Sequence, residues 1–408
     1  MIDPQLGASS ALPLVLVQFG FDAHFSAAFA HVLGATEKRE ELFTAEDAED
    51  RGVNHERRCL PSGRLGSSAT SAVNALAEAD RPGRVIAVHR NRLVVATADG
   101  EVSATLDSHL LQADPIDRPG VGDWVVLRTA ADGATGIRAL IPRRTAFIRG
   151  ASGQKVSPQL VAANVDYVLI VTALPGDFND RRLERYLALT WESGAMPVVV
   201  LAKCDLVDDA SALVAAARAL APGVDVITVS ATSEDGVTRL QSLIPQRATI
   251  ALLGSSGVGK STLLNRLAGE SVMQTAEVDV EGRGRHTTTH RELRLLTNGM
   301  LVIDTPGMRE LQLWSADAGL ERVFEDIVEL SHSCRFADCN HGSEPGCAVL
   351  EAVSRGALDE ERLSSWRRLM REAARSRLET DAVAASAERA KLRAMMRSVR
   401  ELYRAKPK

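Results

Sequence analysis

At 408 residues the chain is long enough for roughly two to four domains. A hydrophobic share of 45% with 25% charged residues is that of a globular protein in water, and a net charge of −5 excludes a global pull toward nucleic acid, so any such contact must be a local patch. Aromatics at 4% exclude a base-stacking surface over the whole molecule. No apolar run is long enough to span a bilayer, and Met1 to Gln5 lacks the basic and apolar stretches of a signal peptide. Five cysteines, an odd number with three of them late in the chain, suit a reducing cytosol better than a disulfide framework. A cytoplasmic location without membrane attachment is expected.

Residues 1–80 form an N-terminal extension. Phe19 to Phe21 and Phe25 to Phe29 hint at a short helix against an aromatic patch, charges crowd between Glu37 and Arg58, and Pro61 to Ser71 is rich in Gly and Ser. The stretch from Glu37 to Ser71 reads as a mobile, solvated arm or linker. Residues 81–150 read as short strands: Gly83 to Val88, Arg92 to Thr97, Val102 to Leu106, Val121 to Leu127 and Ile137 to Ile141, with Asp99-Gly100 as a hairpin signal. Five strands in under seventy residues fit a small closed barrel of the OB type. Such barrels often bind oligonucleotides. Arg90, Arg92, Arg143, Arg144 and Arg149 are candidates for phosphate contacts, or are ordinary solvated arginines.

Residues 155–315 alternate strands with helices, the pattern of a parallel sheet with its sites at the strand carboxyl ends. Val165 to Val171 and Met196 to Leu201 are strands, the second followed by Ala202-Lys203-Cys204-Asp205; Val224 to Val229 is another, followed by Ser230-Ala231. Ala248 to Leu253 then runs into Gly254-Ser255-Ser256-Gly257-Val258-Gly259-Lys260-Ser261-Thr262, a G-x-x-x-x-G-K-[ST] phosphate-binding loop in its strand–loop–helix context. Its glycines let backbone N–H groups converge on phosphate oxygens, Lys260 should reach the β- and γ-phosphates, and Ser261 should ligate Mg²⁺. Further on, Met300 to Gly307 puts Asp304 at a strand end, where an acid holds Mg²⁺ directly or through water, and Gly307 where it can meet the γ-phosphate.

Residues 316–408 carry Cys334, Cys339, His341 and Cys347 within fourteen positions. Three thiolates and an imidazole make a closed tetrahedral set, the pattern of structural zinc; a redox pair is the alternative. Cys59 and Cys204 stand apart as plain thiols. From Ala348 the chain reads as helical and polar. Arg393, Arg397, Arg400 and Arg404 recur at helical spacing, as an RNA contact or as a solvated tail.

Lys203-Cys-Asp205 looks like the guanine-reading element of GTPases, with Ser230 and Ala231 as its supporting loop. Both precede the phosphate loop, whereas Gly284 to Thr289 and Asp304 to Gly307 follow it. The order base, support, phosphate loop, switch, switch is a circular permutation. In this order, and with a barrel before and a Cys-Cys-His-Cys cluster after, the chain resembles the RsgA (YjeQ) family of ribosome small-subunit-dependent GTPases over about residues 80 to 408. The resemblance implies GTP hydrolysis stimulated by the small ribosomal subunit, a role in late subunit maturation, a barrel contact with ribosomal RNA, GTP/GDP, Mg²⁺ and one structural zinc, and a monomer. Gly284 to Thr289 is similar to the family's first switch. Met308 stands where a Ras-type enzyme carries a water-orienting glutamine, which makes His286 the candidate substitute, with Lys260 and Thr288 beside it as catalytic candidates; His286 could instead cap the loop. Ala202 replaces the family's usual asparagine, which ties base loop to phosphate loop. An ATP-dependent P-loop kinase, or a non-hydrolysing RNA-binding zinc protein, would fit parts of this pattern. Neither accounts for all five elements in order.

Overall fold

The computed structural model describes residues 14–34, 80–89, 92–130, 132–151, 157–230, 233–269, 291–304 and 317–380. Two helices, α1 (Leu14–Gln18) and α2 (residues 23–34), precede five strands: β1 (Asp80–Val88), β2 (Leu93–Thr97), β3 (Gly100–Leu106), β4 (Trp124–Thr129) and β5 (Thr135–Leu140), with α3 (Ser108–Gln112) between β3 and β4. The strands close in the order β1-β2-β3-β5-β4-β1, antiparallel except for β3 and β5. Closure demands that β1 serve two neighbours. Its first half pairs with β4 and its second with β2, and a register shift between Val85 and Ala87 bends it. A Cβ at Gly83 would lie 2.5 Å from Val95 Cγ1, so only glycine fits at that corner. Alternation along the strands fills the interior with Val85, Val95, Val125, Leu127 and Ile137, all fully buried.

Residues 14–34 hold short helices set against an aromatic patch, at the place where the phenylalanines hint at one. The outer face of β4 and β5 is apolar, and α1 and α2 cover it: Phe21 and Phe25 set their rings 4.9 and 5.6 Å from that of Trp124, with Leu16, Val126 and Ile141 buried around them. The charged and Gly/Ser-rich stretches between Glu37 and Ser71 lie outside the described residues.

A hairpin of β6 (Ala146–Ala151) and β7 (Ser157–Ala163) leads into the alternating region: β8 (Tyr167–Ala173), α4 (Asp180–Ser193), β9 (Met196–Ala202), α5 (Ser211–Leu220), β10 (Asp225–Val229), α6 (Asp235–Leu243), β11 (Thr249–Leu253), α7 (Lys260–Ala268), β12 (Glu292–Leu295) and β13 (Leu301–Asp304). Strands order as β10-β9-β8-β11-β13-β12, parallel except for β12. Strands β8, β9 and β11 are near-continuous Val, Ile and Leu because both sheet faces are covered. The sheet continues into the barrel through β12 and β1, where Glu292 pairs with Ala87.

The last unit comprises α8 (Asp317–Val323), α9 (Glu325–Ser331), α10 (Ala348–Ser354) and α11 (Glu360–Thr380). It is docked on α4. A Cβ at Gly319 would lie 2.2 Å from Ala188 O, so the two helices meet backbone to backbone, and the Arg322 guanidinium lies 3.6 Å over the Trp191 ring. Glu184 of α4 is 1% exposed; Ser365 donates to it, and Arg362 reaches it at 3.2 Å. Burial pushes this carboxyl's pKa up, and these two partners work against that shift.

Barrel and sheet meet at Arg84, 2% exposed. Its guanidinium donates to Gly122 O (3.2 Å), Asn164 O (3.0 Å), Thr249 Oγ1 (2.9 Å) and Phe19 O. Burial pushes its pKa down to about 10, against Asp166 and Asp123, so it stays charged at neutral pH. Two barrel arginines offered for phosphate contact are likewise structural. Arg143 forks onto buried Asp123 at 2.7 and 2.8 Å, and Arg144 pairs with Asp22 and stacks 4.4 Å from the Phe25 ring. Arg149 bonds Gln159, Arg92 is exposed, and Arg90 lies outside the described residues.

Arg84→Leu removes donors from four acceptors at once. At about 1–3 kcal/mol for a buried group left unsatisfied, the loss should reach about 3 kcal/mol or more. The first thermal transition should fall by roughly 6–12 °C in calorimetry. An unchanged profile would show that the joint carries little stability.

Candidate nucleotide site and metal cluster

The phosphate-loop motif occupies the carboxyl end of β11 and the start of α7. Gly254, Gly257 and Gly259 have φ of 145°, 77° and 98°, a region that side chains oppose. At Gly254 space is short as well, since a Cβ would lie 2.2 Å from Val171 O of the neighbouring strand. Val258 points inward and is buried, which anchors the loop, while Ser256, Gly257 and Thr262 are exposed and Ser255 and Ser261 are partly so. Lys260 begins α7, and its ammonium folds over the loop to Gly254 O (2.8 Å) and Ser255 O. Backbone N–H groups at a helix start and a cation over the same hollow make an anion cradle.

Every other described strand-end residue of the pattern gathers on this edge. β9 delivers Lys203 and Asp205, β10 delivers Ser230, and β13 delivers Asp304. Lys203 sits in the left-handed region with φ 58°, which turns the chain sharply off β9 into the 3₁₀ turn Cys204–Leu206. Its Nζ donates to Gly257 O at 3.0 Å. Ala202, buried at 7%, offers no polar group, and the tie from base loop to phosphate loop is made by Lys203. Ser230 donates to Asp205 Oδ1 at 2.7 Å and so fixes the orientation of an otherwise exposed carboxylate. Cys204 between them is a partly exposed thiol whose pKa burial and Asp205 raise, so it stays protonated at neutral pH. Ala231, His286, Thr288, Gly307 and Met308 lie outside the described residues, as does the basic tail from residue 381.

The second cluster lies between α9 and α10. Cys334, Cys339, His341 and Cys347 bring their ligand atoms within 4.8 Å of one another. Cys334 Sγ is 3.8 Å from Cys347 Sγ, and His341 Nδ1 is 3.6 and 3.4 Å from these two sulfurs. A tetrahedral zinc with bonds of about 2.3 Å to sulfur spaces its sulfurs about 3.8 Å apart, so the four residues fit that ion. The surroundings position them. His341 takes a left-handed turn with φ 55°, its carbonyl accepts from Arg367, and its ring lies 5.3 Å from Trp366. Burial pushes its pKa down, toward the neutral form that a metal requires. Cys347 Sγ also accepts from Leu350 N at the start of α10, tying the cluster to the helical unit. The sequence reading did not include Arg367 and Trp366, because their helical spacing on α11 reads as an ordinary amphipathic face.

The family model for the RsgA GTPase matches residues 140–314. Proteins named small ribosomal subunit biogenesis GTPase RsgA from Opitutus terrae and Streptomyces coelicolor are each 46% identical to the chain, over 321 and 310 residues. These alignments cover 76% and 75% of the chain and 88% and 84% of the relatives. Two solved structures are similar in fold: YjeQ from Thermotoga maritima, TM-score 0.53, and YloQ, a circularly permuted GTPase, TM-score 0.51. Each is 24% identical and covers 72% of the chain, and 99% and 95% of the solved chains are spanned.

Binding free energy at a closed thiolate site is folding free energy. Cys339→Ser should therefore lower bound zinc from about one per chain to near zero by elemental analysis. Trypsin should then cut within residues 317–380 at least about tenfold faster while residues 157–269 persist, because local opening follows local stability. Metal-replete wild-type protein containing no zinc would overturn the assignment.

Proposed function

Since the chain belongs to the RsgA family of small ribosomal subunit biogenesis GTPases, we propose that it binds the small ribosomal subunit and hydrolyses GTP when that subunit completes its active site, during late maturation. The observation that carries this reading is the convergence, at one sheet edge and in permuted chain order, of the cradle at Gly254 to Thr262, the base pair Lys203 and Asp205, Ser230, and Asp304.

Each residue then has a role. Asp205 accepts from guanine N1–H and the 2-amino group, held in orientation by Ser230 with Ala231 beside it, while the Lys203 stem covers the ring. Backbone N–H groups from Ser255 to Ser261 bind the phosphates, Lys260 spans the β- and γ-phosphates, and Gly307 meets the γ-phosphate. Ser261 and Asp304 would hold Mg²⁺, which when bound neutralises charge on the phosphate oxygens. Hydrolysis needs a positioned water. Met308 has no group to orient one, so intrinsic turnover is slow, and His286 with Thr288 completes the site when the subunit binds. In-line attack of this water on the γ-phosphorus breaks its bond to the β–γ bridging oxygen, giving GDP and phosphate. Four zinc ligands leave no open position, so zinc is structural. RNA affinity comes from exposed arginines such as Arg92 and from the basic tail; Arg143 and Arg144 are engaged elsewhere. The protein works as a monomer in the cytoplasm, and no described helix is long and apolar enough to cross a membrane.

Single-turnover hydrolysis should rise by on the order of 10²-fold or more with small subunits, as expected where a partner completes a phosphoryl-transfer site. It should not rise with large subunits, and the stimulation should shrink as salt increases. His286→Ala should keep GTP affinity and lose most of the stimulation. Equal rates with small subunits, large subunits and neither would defeat the reading.

Asp205→Asn exchanges an acceptor for a donor opposite the base. Preference should move from GTP toward XTP by on the order of 10³-fold in competition binding, the scale seen where a site's paired hydrogen bonds are mismatched. A mutant retaining full GTP preference would remove Asp205 from the base site.

A further inference from the structure

Strand β8 lies between β9, which leads into Lys203 and Asp205, and β11, which leads into the phosphate loop. Its exit, residues 174–179, therefore leaves the sheet between the two and turns back into α4. The tip of this loop is open, with Pro175 and Gly176 exposed. Its shape comes from Asp177. Oδ2 of that residue accepts from Ala173 N at 3.4 Å, Oδ1 pairs with Arg182 at 2.8 Å, and the Asp177 N–H donates to Ala173 O at 3.2 Å. The buried Thr172 hydroxyl donates to Asp177 Oδ2 (3.2 Å) or to Asp177 O (3.0 Å), and Arg182 also reaches that carbonyl. One residue thus latches the end of β8 to the first turn of α4, with charge-assisted bonds that are stronger than neutral ones.

The two neighbours of β8 depend on this latch differently. Toward β11, Gly254 packs on Val171 O, a contact made before the latch begins and held by the sheet itself. Toward β9, Leu174 N donates to Ala202 O at 2.8 Å, and Leu174 is the first residue of the latched loop. Ala202 comes immediately before Lys203, whose left-handed turn carries the chain into Cys204–Leu206. The methyl side chain of Ala202 cannot hydrogen-bond, so bonds to its backbone locate it. Whatever holds Leu174 therefore helps to set the direction in which Lys203 and Asp205 leave the sheet.

We propose that Asp177 is a positioning residue for guanine recognition. By fixing residues 174–179 it sets Ala202, and through Ala202 the angle at which Lys203 and Asp205 meet the base. The inference rests on the reading above that Asp205 accepts from guanine N1–H and the 2-amino group. Hydrogen bonds weaken steeply with misalignment, and a small displacement transmitted from a distant residue is enough to misalign them. Phosphate binding is less exposed to that displacement, because the phosphate loop rests on β8 upstream of the latch. Discrimination between bases should therefore fall before affinity for the phosphate chain does.

Titration calorimetry on the full chain with Mg²⁺ tests this, using GDP and IDP as probes. IDP lacks the 2-amino group and otherwise matches GDP. The wild type should prefer GDP by about ten- to a hundredfold, the range for one hydrogen bond to a charged group. Asp177→Ala should weaken GDP by about tenfold or more and IDP by about threefold or less, so that the preference narrows. Thr172→Val removes one hydroxyl with little change of shape and should narrow the preference in the same direction, while Thr172→Ser should keep it. Equal losses for both nucleotides in Asp177→Ala and Thr172→Val would leave Asp177 a structural role only and overturn the proposal. A full GDP preference in both variants would overturn it as well, with the base-site reading intact. A wild-type chain that binds GDP and IDP alike would overturn the base-site reading, and this inference with it.

Discussion

A guanidinium in the interior must be paired, because an unpaired buried charge is among the most costly arrangements a protein can hold. Arg84 meets that constraint by taking acceptors from four separate stretches: the N-terminal segment at Phe19, the barrel at Gly122, the turn between β7 and β8 at Asn164 and the phosphate-loop strand at Thr249. None of the four can move far while the others stay. Gly20 shows how tightly they converge, since a Cβ there would lie 3.1 Å from Arg84 Nη1 and 3.3 Å from Arg247 O. Thr249 opens the strand that ends in the phosphate loop, so Arg84 ties the barrel directly to that strand.

From that joint the site follows from sheet geometry. Parallel strands deliver their loops to one edge, and here β9, β10, β11 and β13 deliver Lys203 and Asp205, Ser230, the glycine-rich loop and Asp304. Sheet position, not chain order, decides which loops meet, and for that reason a permuted chain builds the same edge. Permutation does change what comes next. Thirteen residues after Asp304 the chain enters α8, which lies backbone to backbone against α4 and leads by way of α9 to the Cys/His cluster.

Several arginines show how burial reassigns a residue. Arg143 and Arg144 look like phosphate contacts when read along the chain. In the fold the first pairs with Asp123, whose carboxyl pKa burial pushes up against the pull of that guanidinium, and the second joins the N-terminal segment to the link between β5 and β6. Ala202 brings no polar side chain to this edge. Lys203, one residue on, reaches Gly257 O and supplies the tie.

The elements whose signal is local were legible in the sequence. Five β-rich runs around Asp99-Gly100 are the five barrel strands, because turn chemistry and alternation are properties of neighbouring residues. The phosphate loop was legible because only glycines adopt its φ values, and the cysteine–histidine spacing because tetrahedral ligands must lie close together. What the tertiary structure alone decided depends on partners far apart in the chain. Arg84 looks like one arginine among many until Thr249, 165 residues away, is set against it. Phe21 and Phe25 become a docking face only when Trp124 comes under them. Glu292 stands beside Asp304 and Ala87 only because β12 runs between β13 and β1. Burial and charge pairing are properties of the packed assembly, and no window of sequence contains them.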